Sequence, residues 1–204
     1  MRLVAAAGHD LRTPMTRMRL RAEFLEDAAE RAAWLRDLDE LDRIADSAIS
    51  LVREEATEEQ PEALSLDRLV AELTRELSAL GFKVTAARCD AVRVVAARLA
   101  LTRALRNLLI NAATHGGGAT VCVARERDQA LVVIEDEGPG IPEDLLERAF
   151  EPFFRVDPAR RQAVPGAGLG LAIAKEILDR HRGTILLRNR KPRGLTQEVR
   201  LPVA

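Results

Sequence analysis

The chain has 204 residues, 47% of them apolar and 31% charged, with 31 basic against 32 acidic side chains and a formal net charge of −1. That balance, with 3% aromatics and no tyrosine, argues against a nucleic-acid-binding face. The length suits one large or two small domains, no run of 18 apolar residues occurs, and Cys89 and Cys122 lack metal-ligand spacing, as expected of reduced core thiols in a cytosolic protein.

Residues 1–27 read as a helix, because Leu11, Met15, Met18, Ala22 and Leu25 recur at steps of four and three. Trp34, Leu38, Leu41, Ala45, Ala48 and Val52 carry the same spacing into a second helix, with a short turn around Asp27–Glu30 between them. An antiparallel hairpin is expected. Two helices cannot bury their apolar stripes alone, so dimerisation into a four-helix bundle is the predicted solution. His9 falls about 100° off the first seam, on the bundle's shoulder, with Asp10 beside it and Thr13 one turn along the same face. Pro14 has no N–H and crowds the carbonyl of Asp10, so a kink is expected next to the histidine. A neutral imidazole is a nucleophile near pH 7, and a neighbouring carboxylate can hold its tautomer and take up a proton. The bland alternative is a surface histidine on an amphipathic helix. Met1 stands only eight positions before His9, which suggests a fragment of a longer protein.

Residues 54–63 are acidic, contain Pro61, and read as a fraying helix end and an interdomain linker. The expected domains are therefore 1–60 and 61–204. In the second, residues 66–80 read as a helix stopped by Gly81, and 82–87 and 92–95 as short β runs. Residues 97–115 read as a helix ending in Gly116-Gly117-Gly118, with a strand pair at 120–125 and 130–135. A short helix over 142–149, a loop over 150–165, a helix over 168–182 stopped by Gly183, and closing strands at 184–188 and 195–203 complete the chain.

Three motifs in this half carry chemistry. Asn107, Asn111 and His115 are spaced i, i+4, i+8 and form one polar stripe on a helix. Buried amides need partners, which a metal ion and phosphate oxygens would supply, since a carboxamide oxygen is a hard ligand suited to Mg²⁺; interhelical hydrogen bonding is the alternative. Asp136-Glu137-Gly138-Pro139-Gly140-Ile141 follows the apolar run 131–134. An aspartate at a strand end can accept an exocyclic amine while the glycines admit a ring close to the backbone, although an ordinary turn has the same form. Gly166-Ala167-Gly168-Leu169-Gly170-Leu171 opens a helix, whose free N–H groups and positive dipole end suit phosphates. The spacing is neither that of a Walker loop nor that of a Rossmann fingerprint. The polar loop over 156–165 before it reads as a lid over a nucleotide.

In this order the motifs resemble the catalytic core of bacterial sensor histidine kinases. His9–Pro14 is similar to the H-box, Asn107–Asn111 to the N-box, Asp136–Gly140 to the G1-box, Phe150–Arg155 to the F-box and Gly166–Gly170 to the G2-box. His9–Leu20 is especially similar to osmosensor kinases of the EnvZ type. The resemblance implies an α plus α/β fold: a helical hairpin dimerising into a four-helix bundle, then a Bergerat (GHKL) α/β sandwich. It implies that Nε2 of His9 attacks the γ-phosphate of ATP, with Asp10 orienting Nδ1 and acting as base. Asn111 would coordinate Mg²⁺, with Asn107 one turn before it. Asp136 would accept from the adenine amine, with Gly138, Gly140 and Ile141 around the base. Gly166, Gly168, Leu169 and Gly170 would form the phosphate-facing hinge of the lid, and Arg155 would contact phosphate or the histidine domain. The implied partners are a second copy of the chain and the receiver domain of a response regulator, with no nucleic acid. A membrane would enter only through upstream segments, making this the cytoplasmic portion of an inner-membrane sensor. His-Asp-x-x-Thr also resembles kinases that dephosphorylate their regulator, with Thr13 positioning a hydrolytic water.

The chain departs from the pattern at Thr114 and His115, where many members carry a basic residue and an aromatic one: His115 could still stack on the nucleotide, but Thr114 supplies no cation, and Arg160 or Arg161 is the expected substitute. Two alternatives remain. A GHKL-fold ATPase of another class would place a glutamate at Asn107 and lack the His9 segment. A catalytically silent dimeric scaffold would not need the nucleotide motifs, all of which are present here.

Overall fold

The computed structural model describes residues 13–55, 59–156 and 168–204. These group into two compact units, one containing 13–55 with 168–169, the other 59–156 with 170–204. His9, Asp10, Arg160, Arg161 and Gly166 lie outside the described residues.

The first unit is a helical hairpin. Helix α1 covers 13–22 of the described residues, and α2 (Ala28–Glu55) follows. The turn falls at 23–27, earlier than the spacing predicts, so Leu25 belongs to the turn and not to a helical seam. The reason is Asp27, whose Oδ1 accepts from the N–H groups of Ala29 (2.7 Å) and Glu30 (3.2 Å) and so caps α2. Those two bonds hold its pKa below the usual carboxylate range. Arg31 Nη1 closes the turn on Leu25 O (3.1 Å). Across the hairpin Arg19 binds Asp39 and, at 2.9 Å, Asp42. Ala22 and Leu38 are buried, while Met18, Leu20, Phe24, Trp34 and Leu41 remain exposed.

The second unit begins with a correction. Within 54–63, read as a linker, α2 runs to Glu55 and Glu62 opens a strand, β1 (Glu62–Ser65), which pairs antiparallel with β3 (Arg93–Ala96). Four residues with only Leu64 buried have no local periodicity to betray them; the strand exists because β3 offers it a ladder. Between them, α3 (Leu66–Ala79) buries Leu66, Leu69, Val70, Leu73 and Leu77, an apolar face at helical spacing. It ends where Gly81 takes φ +90°, a conformation that side chains oppose.

The main sheet is five-stranded and mixed, in the order β2 (Val84–Cys89), β4 (Ala119–Glu126), β5 (Gln129–Asp136), β7 (Leu195–Pro202), β6 (Thr184–Asn189). Only the β2–β4 pair is parallel. Helix α4 (Arg98–Gly116) crosses β4, β5 and β7, α3 covers β2 and β4, and α5 (Gly170–Arg180) covers β6, all through the inward residues of the strands. Val121, Val123, Val132, Ile134, Val199 and Leu201 form the sheet's side of that core. Burying such side chains stabilises by about 1.5–3 kcal/mol each. Arg106 binds Glu76 through two 2.7 Å bonds, stapling α4 to α3. The cysteines are free but not core thiols: both are half-buried, and Cys122 lies between inward Val121 and Val123, hence on the opposite face.

Residues 142–149 do not form the expected helix. They make 3-10 turns at Glu143–Leu145 and Arg148–Phe150. Tertiary packing decides this, because Leu146 and Phe150 join Ile141 and Leu171 around buried Ala149, Leu187 and Leu195. Helix α5 stops at Arg180, and Gly183 N–H returns to Leu178 O (2.8 Å). Among the described residues no helix is long and apolar enough to cross a membrane.

Candidate functional site

The end of β5 delivers Asp136 into the interior beside the C-terminus of α4. Asp136 is 4% exposed, and its Oδ1 accepts from the N–H groups of Gly138 (2.8 Å) and Leu195 (3.2 Å). Burial raises its pKa; the two N–H bonds and the nearby His115 and Arg190 act in the other direction without cancelling it. The close approach is possible because two neighbours have no side chain. A Cβ on Gly116 would stand 2.7 Å from the Asp136 carboxyl carbon, and one on Gly138 would stand 2.8 Å from His115 O. Helix α4, the end of β5 and the start of β7 therefore converge on one buried anion.

Asn107, Asn111 and His115 run along α4 toward this point, the two asparagines half-buried and His115 exposed. Asn107 Nδ2 is buried and, among the described residues, has no hydrogen-bond partner. An unsatisfied buried amide is costly, so it marks a place where a ligand group belongs. Gly170, the first residue of α5, stands next to it: a Cβ there would lie 3.9 Å from Asn107 Cβ. The first turn of α5 presents backbone N–H groups and the positive end of the helix dipole. Asn111 offers a hard amide oxygen. Among the described residues no group of three His, Cys, Asp or Glu side chains could hold a metal. A cation bound here would find the Asn111 amide oxygen and the phosphate oxygens of a ligand, a hard donor set that suits Mg²⁺.

Other predicted residues are placed as follows. Gly140 has φ +75° and Ile141 is half-buried, both in the loop after Asp136. Arg155 is half-buried after Phe154, whose ring lies 4.5 Å from the Arg148 guanidinium. Thr13 is exposed on α1, and Gly168 (φ +70°) and buried Leu169 group with the first unit.

Residues 96–204 match the family described as histidine kinase-, DNA gyrase B- and HSP90-like ATPases. The chain belongs to that family. Its curated relatives include the sensor histidine kinase GtrS of Pseudomonas aeruginosa, 38% identical over 98% of this chain and 41% of that protein. Another is the signal transduction histidine-protein kinase/phosphatase MprB of Mycolicibacterium smegmatis, 34% identical over 95% of this chain and 43% of that one. Among solved structures, the histidine kinase domain of the E. coli osmosensor EnvZ is 33% identical with a TM-score of 0.56, covering 72% of this chain and 92% of that domain. The chain spans under half the length of the curated relatives it matches.

In this histidine kinase-type ATPase domain, part of the site came from residues without a motif. Gly116 reads in sequence only as a helix stop. Leu195 contributes a backbone N–H, which no side-chain pattern announces. The β6–β7 turn also reaches the site: Arg190 Nη1 donates to Asp136 O (3.1 Å) and Arg193 Nε to Glu137 O (2.6 Å).

Proposed function

We propose that this chain is the catalytic core of a sensor histidine kinase, with 1–60 as dimerisation and phosphotransfer hairpin and 61–204 as ATP-binding domain. ATP docks with its adenine amine on Asp136, donating to Oδ2 while the backbone holds Oδ1. Gly138, Gly140 and Ile141 border the base. Asn107, Asn111 and the α5 start, with Gly166, Gly168 and Leu169 before it, face the phosphates; Mg²⁺ on Asn111 neutralises phosphate charge when bound. The observation that carries this is the pair of features α4 links: the buried, backbone-held carboxylate of Asp136 at its Gly116 end, and an unsatisfied Asn107 amide further back along the same helix.

The reaction itself is mainly positioning and charge neutralisation. The Nε2 lone pair of His9 forms the bond to the γ-phosphorus as the bond to the β-phosphate oxygen breaks, and ADP leaves with that electron pair. Asp10 orients Nδ1–H and takes up its proton. The phosphoryl group then passes to an aspartate of a receiver domain. Thr13 orients the water that later hydrolyses the regulator's acyl phosphate; the kinase/phosphatase name of the MprB relative supports this second activity. Exposed Met18, Leu20, Phe24, Trp34 and Leu41 support burial of the hairpin against a second copy, giving a four-helix bundle. The whole protein is then an inner-membrane sensor of which this chain is a cytoplasmic portion.

Incubation with ATP labelled at the γ-phosphate tests the proposal. An acid-labile label is expected on the wild type and none on His9→Gln. ATP hydrolysis without protein label would favour a GHKL ATPase of another class, and neither label nor hydrolysis a silent scaffold.

A further inference from the structure

Beyond its own bond from Gly138 N–H to Asp136 Oδ1, the loop after Asp136 is held by residues 189–195, the end of β6, the start of β7 and the turn between them. Asn189 is the centre of that grip. Its Oδ1 accepts from Ile141 N–H (2.9 Å) and its Nδ2 donates to Ile141 O (2.6 Å), so one carboxamide satisfies both backbone groups of one residue. Arg190 and Arg193 take the carbonyls of Asp136 and Glu137, and Leu195 N–H takes the Asp136 carboxylate. The turn thus grips both ends of the loop between Asp136 and Ile141.

Two glycines record how closely the segments are fitted. A Cβ on Gly140 would stand 2.5 Å from Asn189 Oδ1, and one on Gly194 would stand 3.2 Å from the Asp136 carbonyl carbon. Gly140 also holds φ +75°, which a side chain resists. Its conformation and the Asn189 contact are therefore one arrangement.

We infer that Asn189 is a positioning residue for base recognition: by fixing the Ile141 backbone it sets where Asp136 meets the exocyclic amine of the nucleotide. This rests on the proposed docking of adenine on Asp136. An exposed side chain with no catalytic chemistry would then act on nucleotide selectivity, not on phosphoryl transfer.

The test compares ATP with inosine triphosphate, whose base carries a carbonyl where adenine carries the amine, on the whole chain. Asn189→Ala is expected to weaken ATP binding roughly fivefold, about one net hydrogen bond, and to shrink the ATP preference by a similar factor. The turnover rate at saturating ATP should change by less than about twofold, since uniform binding energy moves KM and not kcat. Unchanged ATP affinity, or equal weakening of both nucleotides, would overturn the inference. Should Asn189→Ala not fold, Asn189→Asp carries the test: it keeps an acceptor for Ile141 N–H and loses the donor to Ile141 O, so a shift of about twofold or more in the same ratio is expected and an unmoved ratio is fatal. A wild type that does not discriminate the two nucleotides sinks the Asp136 docking itself and this inference with it, a result distinct from discrimination that survives Asn189→Ala.

Discussion

Gly116 and Asp136 occupy space that only a glycine allows them to share: a Cβ on Gly116 would meet Asp136 Oδ1 at 2.8 Å, and its β and γ carbons closer still. The contact is made by the end of α4 with the end of β5, so it sets how the asparagine-bearing helix meets the aspartate. Gly116→Ala should therefore destabilise by about 1–3 kcal/mol through overpacking and weaken ATP at least about tenfold. Gly117→Ala is the control. Gly117 has φ +72° and open space around its missing Cβ, so alanine there should cost about 1–2 kcal/mol of backbone strain with ATP affinity nearly intact. Denaturant melts and calorimetric titration with ATP separate the two; equal ATP losses would contradict the close-contact explanation.

Asp136 itself should trade stability for binding, in a pH-dependent way. Burial holds its pKa above the ordinary carboxylate range, so the native state binds the proton more tightly than the unfolded chain. Stability from this group is then fully present below the unfolded pKa and is lost as pH rises through the raised native value. Asp136→Asn keeps an oxygen for the two backbone donors and removes the charge. Relative to wild type, its melting temperature is expected to be higher at neutral pH than in acid. Its ATP affinity should fall about tenfold or more, because the amide nitrogen then meets the base amine donor to donor. Wild-type affinity should weaken on acidification through the raised pKa while the variant's does not. A pH-independent difference in melting would contradict the assignment.

These two residues also mark what the sequence makes legible. The Asp136 loop and the Asn107–Asn111 stripe are local patterns, so spacing alone locates them, and the core faces of α3 and α4 follow from apolar periodicity. The grip on the loop was not legible, because Asn189, Arg190 and Arg193 find their acceptors about 50 residues away in the backbone of Asp136, Glu137 and Ile141. Strand β1 and the 3-10 turns before Phe150 share that cause: they are decided by what packs on them. The early turn at 23–27 had a local signal in Asp27, a capping residue that the seam at Leu25 obscured.

Asn107 should look like a residue kept for a ligand. Its buried Nδ2 has no partner among the described residues, a penalty of about 1–3 kcal/mol. Asn107→Leu, similar in volume, is expected to melt at the same temperature as wild type or higher when nucleotide is absent. With Mg²⁺ and ATP present the order should reverse, because the wild type gains binding free energy that the variant lacks. A large loss of stability in the absence of nucleotide would mean that the amide already has its partner.

Thr13 separates the two proposed activities. It is exposed on α1, so Thr13→Ala should leave the chain folded, which a denaturant melt of the variant checks. Label incorporation at His9 should stay within about twofold of wild type. Removal of phosphate from a phosphorylated receiver domain should slow about tenfold to a hundredfold, the range for losing a group that orients an attacking water. Parallel loss of both rates would show that Thr13 supports the helix and not the water.

His181 ties α5 to α4, the helix that carries Asn107. Its Nδ1 lies 2.7 Å from Ile177 O, a pure acceptor, so the proton is on Nδ1 and Nε2 accepts from Ala97 N–H at 3.0 Å. Ala97 is the N-cap of α4 and has no capping side chain of its own, so a residue at the end of α5 satisfies the backbone there from 84 positions away. His181→Ala should orphan that N–H and cost about 1–3 kcal/mol. His181→Phe fills the space without an acceptor and should not restore the loss. The Ala97 amide, protected in the wild type, should exchange with solvent markedly faster in both variants, whereas amides within α3 should keep their protection relative to global stability. If His181→Phe restores both stability and Ala97 protection, packing and not the hydrogen bond joins α5 to α4.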